Sequence, residues 1–138
     1  MGHELSGEIL ETPKNSQFSV GDRVIINPYL SCGNCVSCKK NKSNCCVNLK
    51  VLGVHTDGGM CEFLCLPERA IYPARGLTLS EAAMVEFLSI GAHAVSRGQL
   101  LAGSRILVIG AGPIGLGVAL FASFEEACTC LLYTSDAA

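Results

Sequence analysis

The sequence predicts a β-rich α+β domain followed by the opening strand and helix of an α/β unit. Three observations predict it. Short strand-like runs separated by turn residues fill the first half of the chain. One long helical pattern follows, ending near Arg97. Then Ile106-Leu107-Val108-Ile109 leads straight into a glycine-rich turn and a second helical pattern.

Taken in order, residues 2–10 read as an extended segment that ends at Thr12-Pro13-Lys14-Asn15. Val20-Gly21-Asp22 is turn-like and feeds a strand at Arg23–Ile26, which Pro28 ends. Residues 31–48 are rich in Cys, Asn and Lys and poor in apolar side chains. A loop of that length cannot bury a core and needs another means of support. Strands are expected at 51–54 and 60–66 around a turn at Asp57-Gly58-Gly59, and at 70–72 before Pro73. Thr78 or Ser80 caps a helix with Glu81 in its first turn, and Gly98 is its expected stop. Gly103-Ser104 turns into a strand at Arg105–Ile109, and a helix is expected from Pro113 to about Phe124.

A length of 138 residues suits one modest domain. The formal charge of -2 gives no reason to expect a nucleic-acid partner. No basic segment precedes an apolar one at the start, so no secretion signal is expected; Gly2-His3-Glu4 reads like the middle of a protein. Residues 106–124 carry no charge and are long enough for a membrane helix. Five breakers, Gly110, Gly112, Pro113, Gly115 and Gly117, and a β-branched start argue against one. No membrane association is expected.

Nine cysteines open two possibilities, a secreted disulfide scaffold or a metal protein of a reducing compartment. The odd count and the tight spacing favour metal and a cytoplasmic location. Cys32, Cys35, Cys38 and Cys46 form C-x2-C-x2-C-x7-C, and the adjacent Cys45 competes for the fourth place. Four thiolates close a tetrahedral zinc shell, so the site would be structural. An iron–sulfur cluster is a rival, although ferredoxin runs have a shorter third gap followed by Pro. Lys39, Lys40 and Lys42 offset the negative charge of such a site. Cys61, Cys65 and Cys128 are expected as buried apolar fillers.

Gly110-Ala111-Gly112-Pro113-Ile114-Gly115 is G-x-G-x-x-G between a strand and a helix. Gly110 permits the tight turn, Gly112 lets backbone approach a pyrophosphate, and Gly115 lets the helix pack on the strand. The confirming acid should lie about 20 residues on. That position falls in a questionable tail, so Asp136 is not taken as that acid.

His3 and Glu4 sit in G-H-E-x-x-G, a pairing that suits zinc but is equally at home on a solvated surface. Glu86 lies in an apolar helical stretch; it is either a ligand or ion-pair partner, or a residue of the helix's wet face. His93 is expected to pack, and His55 has no evident partner.

In this order, G-H-E-x-x-G, V-G-D-R-V, the four-cysteine lobe, G-G-M-C-E-F, V-E-F-L-S-I-G-A-H-A-V and V-I-G-A-G-P-I-G resemble the zinc-containing medium-chain alcohol dehydrogenases. The resemblance runs to about residue 124. Glu86 points to the sorbitol, threonine and L-galactonate dehydrogenase branch. It implies a GroES-like catalytic domain over 1–98, then the start of a Rossmann NAD(P)-binding domain over 99–129. It implies Cys46 as the fourth ligand of the structural zinc. His3, Glu4 and Glu86 would be catalytic zinc ligands or near ligands, and residues 110–115 would bind NAD or NADP through Gly110, Gly112, Pro113, Ile114 and Gly115. Zinc would polarise the oxygen of a small alcohol, polyol or sugar acid while hydride passes to the nicotinamide. A homo-oligomer is implied as well.

Departures accompany the resemblance. The Cys ligand and hydroxyl relay that precede G-H-E in the family are not in this chain, and Phe87 stands where Pro is usual. Residues 130–138 resemble a translated adapter sequence and are expected to be non-native. The expectation is therefore a fragment cut at both ends. Alone it would be inactive, with a terminal strand and helix that have no sheet to join. A small zinc-binding module without catalysis is the alternative.

Overall fold

A computed structural model describes residues 1–132. The chain divides into two compact units, Met1–Met84 and Val85–Ala138.

The first unit is built on a three-stranded antiparallel sheet in the order β1 (Leu5–Glu8), β2 (Arg23–Ile26), β5 (Ile71–Pro73). Leu5 pairs with Ile26, and Ile26 pairs in turn with Ile71. β2 alternates, with Val24 and Ile26 buried and Arg23 exposed, as expected of a strand with one wet face. Leu5, Ile26 and Leu52 form the core, and Leu30, Leu66 and Ile71 pack against it. β3 (Tyr29–Leu30) and β4 (Lys50–Val51) form a second, two-stranded antiparallel pair. Fully buried Pro28 sits just before β3, and its carbonyl accepts the Leu52 N–H.

Several local expectations change here. The strand expected at 51–54 is cut to Lys50–Val51, because the Val54 and His55 N–H groups both turn back onto the Val51 carbonyl. His55 then finds a partner: its Nδ1 accepts the Val51 N–H at 3.1 Å. No strand forms over 60–66. Among the described residues this segment has no ladder partner; Gly59 and Met60 instead donate to the carbonyls of Gly2 and Met1. A turn was also expected at 57–59, but the glycines serve close approach. A methyl on Gly59 would overlap the Leu5 side chain. Cys61 and Cys65 are exposed rather than buried, because this irregular segment lies on the surface.

α2 (Leu79–Gly98) starts with a reciprocal cap: the Glu81 N–H donates to Thr78 Oγ1, and the Thr78 N–H donates to Glu81 Oε2. Gly98 is the helix's last residue and not its stop. Gln99 takes the left-handed position, at φ +50°.

The second unit holds β6 (Arg105–Ile109), α3 (Pro113–Phe124) and β7 (Cys128–Leu132). β6 and β7 are parallel, from Arg105 opposite Cys128 to Ile109 opposite Leu132. The terminal strand and helix therefore do have a sheet partner. β7 runs into the tail set aside as non-native, since Cys-Thr-Cys-Leu-Leu is apolar and β-compatible and α3 returns the chain beside β6. Residues 133–138, Asp136 among them, lie outside the described residues. Cys128 is exposed, on the uncovered face of β7. His93 is also exposed, on the outer side of α2. Gly91 of α2 and Gly117 of α3 allow the two helices to touch, because a methyl on Gly91 would stand 2.6 Å from the Gly117 carbonyl carbon. Among the described residues no helix is long and apolar enough to cross a membrane.

Candidate metal centre and glycine loop

The cysteine lobe begins and ends on the β3–β4 pair, so its two ends are held side by side, at about the 5 Å of paired strands. Between them are only a four-residue helix, α1 (Val36–Lys39), and a 3-10 turn (Ser43–Cys45), neither with a buried residue. Left-handed Gly33 and Asn41 reverse the chain around α1. Lys42 N–H donates to the Ser37 carbonyl, and Cys46 N–H to that of Ser43. Arg69 ties the lobe to the sheet by donating to the Ser31 carbonyl.

These turns bring the thiols of Cys32, Cys35, Cys38 and Cys46 together, every sulfur within 4.8 Å of the others. In tetrahedral zinc, bonds of about 2.3 Å set sulfurs roughly 3.8 Å apart. The cluster needs to contract by no more than about an ångström to meet that geometry. Cys46 is buried, and its sulfur accepts the Cys32 N–H at 3.3 Å. Cys45 is exposed and accepts only from the neighbouring Asn44 amide. Geometry therefore separates two cysteines that are adjacent in sequence.

Two of the four thiols are drawn toward thiolate. The Cys35 thiol is drawn down to about 6, chiefly by the backbone N–H groups of Cys38 and Val47. Cys32 is lowered too, by the N–H groups of Asn34 and Cys35. Cys38 is pushed up to about 11 by burial and by its hydrogen bond with Cys35. A bound divalent cation would displace the protons that the thiols carry. Lys39, Lys40 and Lys42 are all exposed around the cluster.

The glycine loop lies wholly in the second unit. Gly110 ends β6 at φ +106°, a conformation side chains avoid. A methyl on Gly115 would overlap the Gly110 carbonyl oxygen, so only glycine lets α3 pass this close to β6. Gly112 caps α3 without any side-chain hydrogen bond, Pro113 fills the first turn, and no acid stands there. The free N–H groups of that turn face no competing carboxylate, which suits a pyrophosphate. Gly112, Pro113 and Ile114 are exposed at this end.

His3 is half-buried and Glu4 exposed, both in the first unit. Glu86 is buried, at 8% exposure, in the second. The wet-face reading of Glu86 is thereby overturned. Among the described residues, the four thiols are the group of ligands that converges.

The alcohol dehydrogenase GroES-like domain family matches residues 1–76, more than half of the chain. The chain belongs to the zinc-containing medium-chain alcohol dehydrogenase family. This alcohol dehydrogenase segment is 43% identical to L-galactonate-5-dehydrogenase of Escherichia coli (strain K12), over 99% of this chain and 41% of that protein. It is 36% identical to sorbitol dehydrogenase of Bacillus subtilis (strain 168), over 84% of this chain and 34% of that protein. Among solved structures, it superimposes on galactitol-1-phosphate dehydrogenase from Escherichia coli with a TM-score of 0.86. That match has 27% identity and covers 95% of this chain and 39% of the other. An alcohol dehydrogenase from Escherichia coli CFT073 complexed with NADH gives a TM-score of 0.84 at 34% identity, over 95% of this chain and 40% of that one. The chain thus spans about two fifths of the length of these relatives.

One feature of the site has no signal in the sequence: the β3–β4 pair that closes the lobe, whose strands are too short for a periodic pattern.

Proposed function

We propose that this chain is the zinc-lobe and glycine-loop portion of a zinc-dependent, NAD(P)-dependent oxidoreductase acting on a secondary alcohol, polyol or sugar acid. The observation that carries the reading is the convergence of Cys32, Cys35, Cys38 and Cys46, in a chain whose glycine loop is shaped by Gly110 and Gly115. The donor set fits zinc: four sulfurs, no oxygen or nitrogen, and no open position for substrate. Cys32, Cys35, Cys38 and Cys46 would hold it, and zinc would supply the cross-link that the lobe's missing apolar core cannot.

The second half of the reading concerns chemistry. His3, Glu4 and Glu86 are the residues we assign to a catalytic metal. Of these, Glu86 is buried and His3 half-buried. Gly110, Gly112, Pro113, Ile114 and Gly115 are assigned to the dinucleotide, whose nicotinamide supplies the hydride acceptor. The chain's own part is to offer the N–H groups of the first turn of α3 and to keep side chains out of their way. The relatives named L-galactonate, sorbitol and galactitol-1-phosphate dehydrogenases support a hydroxyl-rich small molecule as substrate. A cytoplasmic location and a homo-oligomer belong to the same reading.

Elemental analysis of purified chain tests it. About one zinc and no iron per chain supports the closed thiol site. Two zincs would show that His3, Glu4 and Glu86 recruit a second ion. A chain with no zinc and nine titratable thiols would overturn the reading.

A further inference from the structure

We propose that the groove between the start of β2 and the turn at residues 74–77 binds a small oxyanion, a phosphate or a carboxylate, between Arg23 and Arg75. The groove is open, about 400 Å³ in volume, and lies wholly within the first unit. Its floor is held by backbone. The Ala74 N–H donates to the Arg23 carbonyl at 2.9 Å, which fixes the turn beside the strand. The Leu77 N–H donates to the Ala74 carbonyl at 3.0 Å and closes the turn.

Arg75 and Gly76 are the two central residues of that turn, at φ +43° and +89°. Positive φ at both positions is the type I′ form, whose first place is normally taken by Gly, Asn or Asp. An arginine there is strained, and it lines the groove. Across from it stands Arg23, also exposed. The groove's one acid is Asp22, whose Oδ2 accepts the Ser19 N–H at 2.7 Å and closes its own turn. Glu8 is the cross-strand neighbour of Arg23 on β1. Among the described residues, neither the Arg23 nor the Arg75 guanidinium makes a hydrogen bond or ion pair. Two arginines without an ion-pair partner line one groove, and their positive charge there favours an anion. Their planar forks match the oxygens of phosphate or carboxylate in pairs.

The test is a titration of the full 138-residue chain with inorganic phosphate at constant ionic strength, following the backbone amide signals. Saturating shifts confined to Gly21, Arg23, Arg75, Gly76 and Leu77 are expected. Arg23→Gln and Arg75→Gln should each weaken the response at least about tenfold, the cost of losing a charged hydrogen-bonding partner. Arg75→Gly guards against a folding artefact. It relieves the turn and should raise the thermal midpoint while abolishing the phosphate response. A parallel titration with gluconate separates a phosphate ligand from a sugar-acid carboxylate. Shifts that fail to saturate, spread over Lys39, Lys40 and Lys42, or persist unchanged in Arg75→Gly would overturn the proposal.

Discussion

The cysteine lobe and the glycine loop achieve order in opposite ways. The lobe has almost no apolar core: α1 and the following 3-10 turn bury nothing. Four thiols converge in it instead. The glycine loop depends on side chains that are missing, since Gly110 supplies a left-handed turn and Gly115 the space for α3 against β6. On the zinc reading proposed above, the lobe would depend on a ligand for its stability, whereas the loop depends on packing and is vulnerable to a single methyl. Metal chemistry governs one region and steric exclusion the other.

Chelation should expose this difference most sharply. Removing zinc with a strong chelator is expected to unfold residues 31–49 and leave the β6–α3–β7 unit intact. Structural zinc in small sites contributes on the order of 10 kcal/mol. Hydrogen exchange resolved by peptide would read both regions in one experiment. Equal loss of protection in both would mean that the lobe and loop are one cooperative unit. Cys46→Ser should reproduce the chelated state, and Cys45→Ser should keep full zinc content, because only Cys46 turns its sulfur into the cluster.

The loop has its own decisive change. Gly115→Val places branched carbons where the Gly110 carbonyl already sits. A cost of about 1–3 kcal/mol from overpacking is expected, together with loss of NADH binding measured by fluorescence. Zinc content should not change. An unaltered NADH signal would remove the glycine loop from the binding reading.

Smaller effects lie at the start of α2. Thr78→Ala removes one half of the reciprocal cap and should cost about 1 kcal/mol in a denaturant titration. The Glu81 carboxyl is held below its ordinary range, first by the Thr78 N–H and then by the Thr78 hydroxyl. A lowered folded value means that the contribution is complete above the unfolded carboxylate's pKa. It is lost as pH falls through the folded value. The gap between wild type and Thr78→Ala should therefore narrow on acidification without closing, because the Thr78 hydroxyl still accepts the Glu81 N–H. A gap unchanged at low pH would show that the hydroxyl's bond to the carboxylate contributes nothing.

Sequence reading was most successful where a local rule acts alone. Strand β2, strand β6 and helix α3 lie where hydrophobic pattern, Gly and Pro place them. The start of α2 follows from Thr78 and Glu81. It failed where a partner decides. Residues 60–66 carry a strand-like pattern but pair with no strand among the described residues, so Cys61 and Cys65 lie exposed. Residues 130–132 of β7 fall in the stretch expected to be non-native, and the strand they pair with, β6, is brought alongside by α3. Gln99 ends α2 in a conformation no propensity scale assigns to glutamine.

The site divides along the same line. Spacing alone was enough to single out a cysteine cluster and a glycine loop, because both are local and both rest on residue types with few other uses. Tertiary structure chose Cys46 over Cys45, since the direction of a side chain depends on the turn that carries it. It decided that Glu86 is buried, because the face a helix hides depends on what packs against it. It also made the Arg23–Arg75 groove, which joins residues that only strand pairing brings together. Sequence by itself determined which chemistry is available in this chain, and packing decided which of those groups meet, because contacts between distant residues are set by the whole fold and not by their neighbours in the chain.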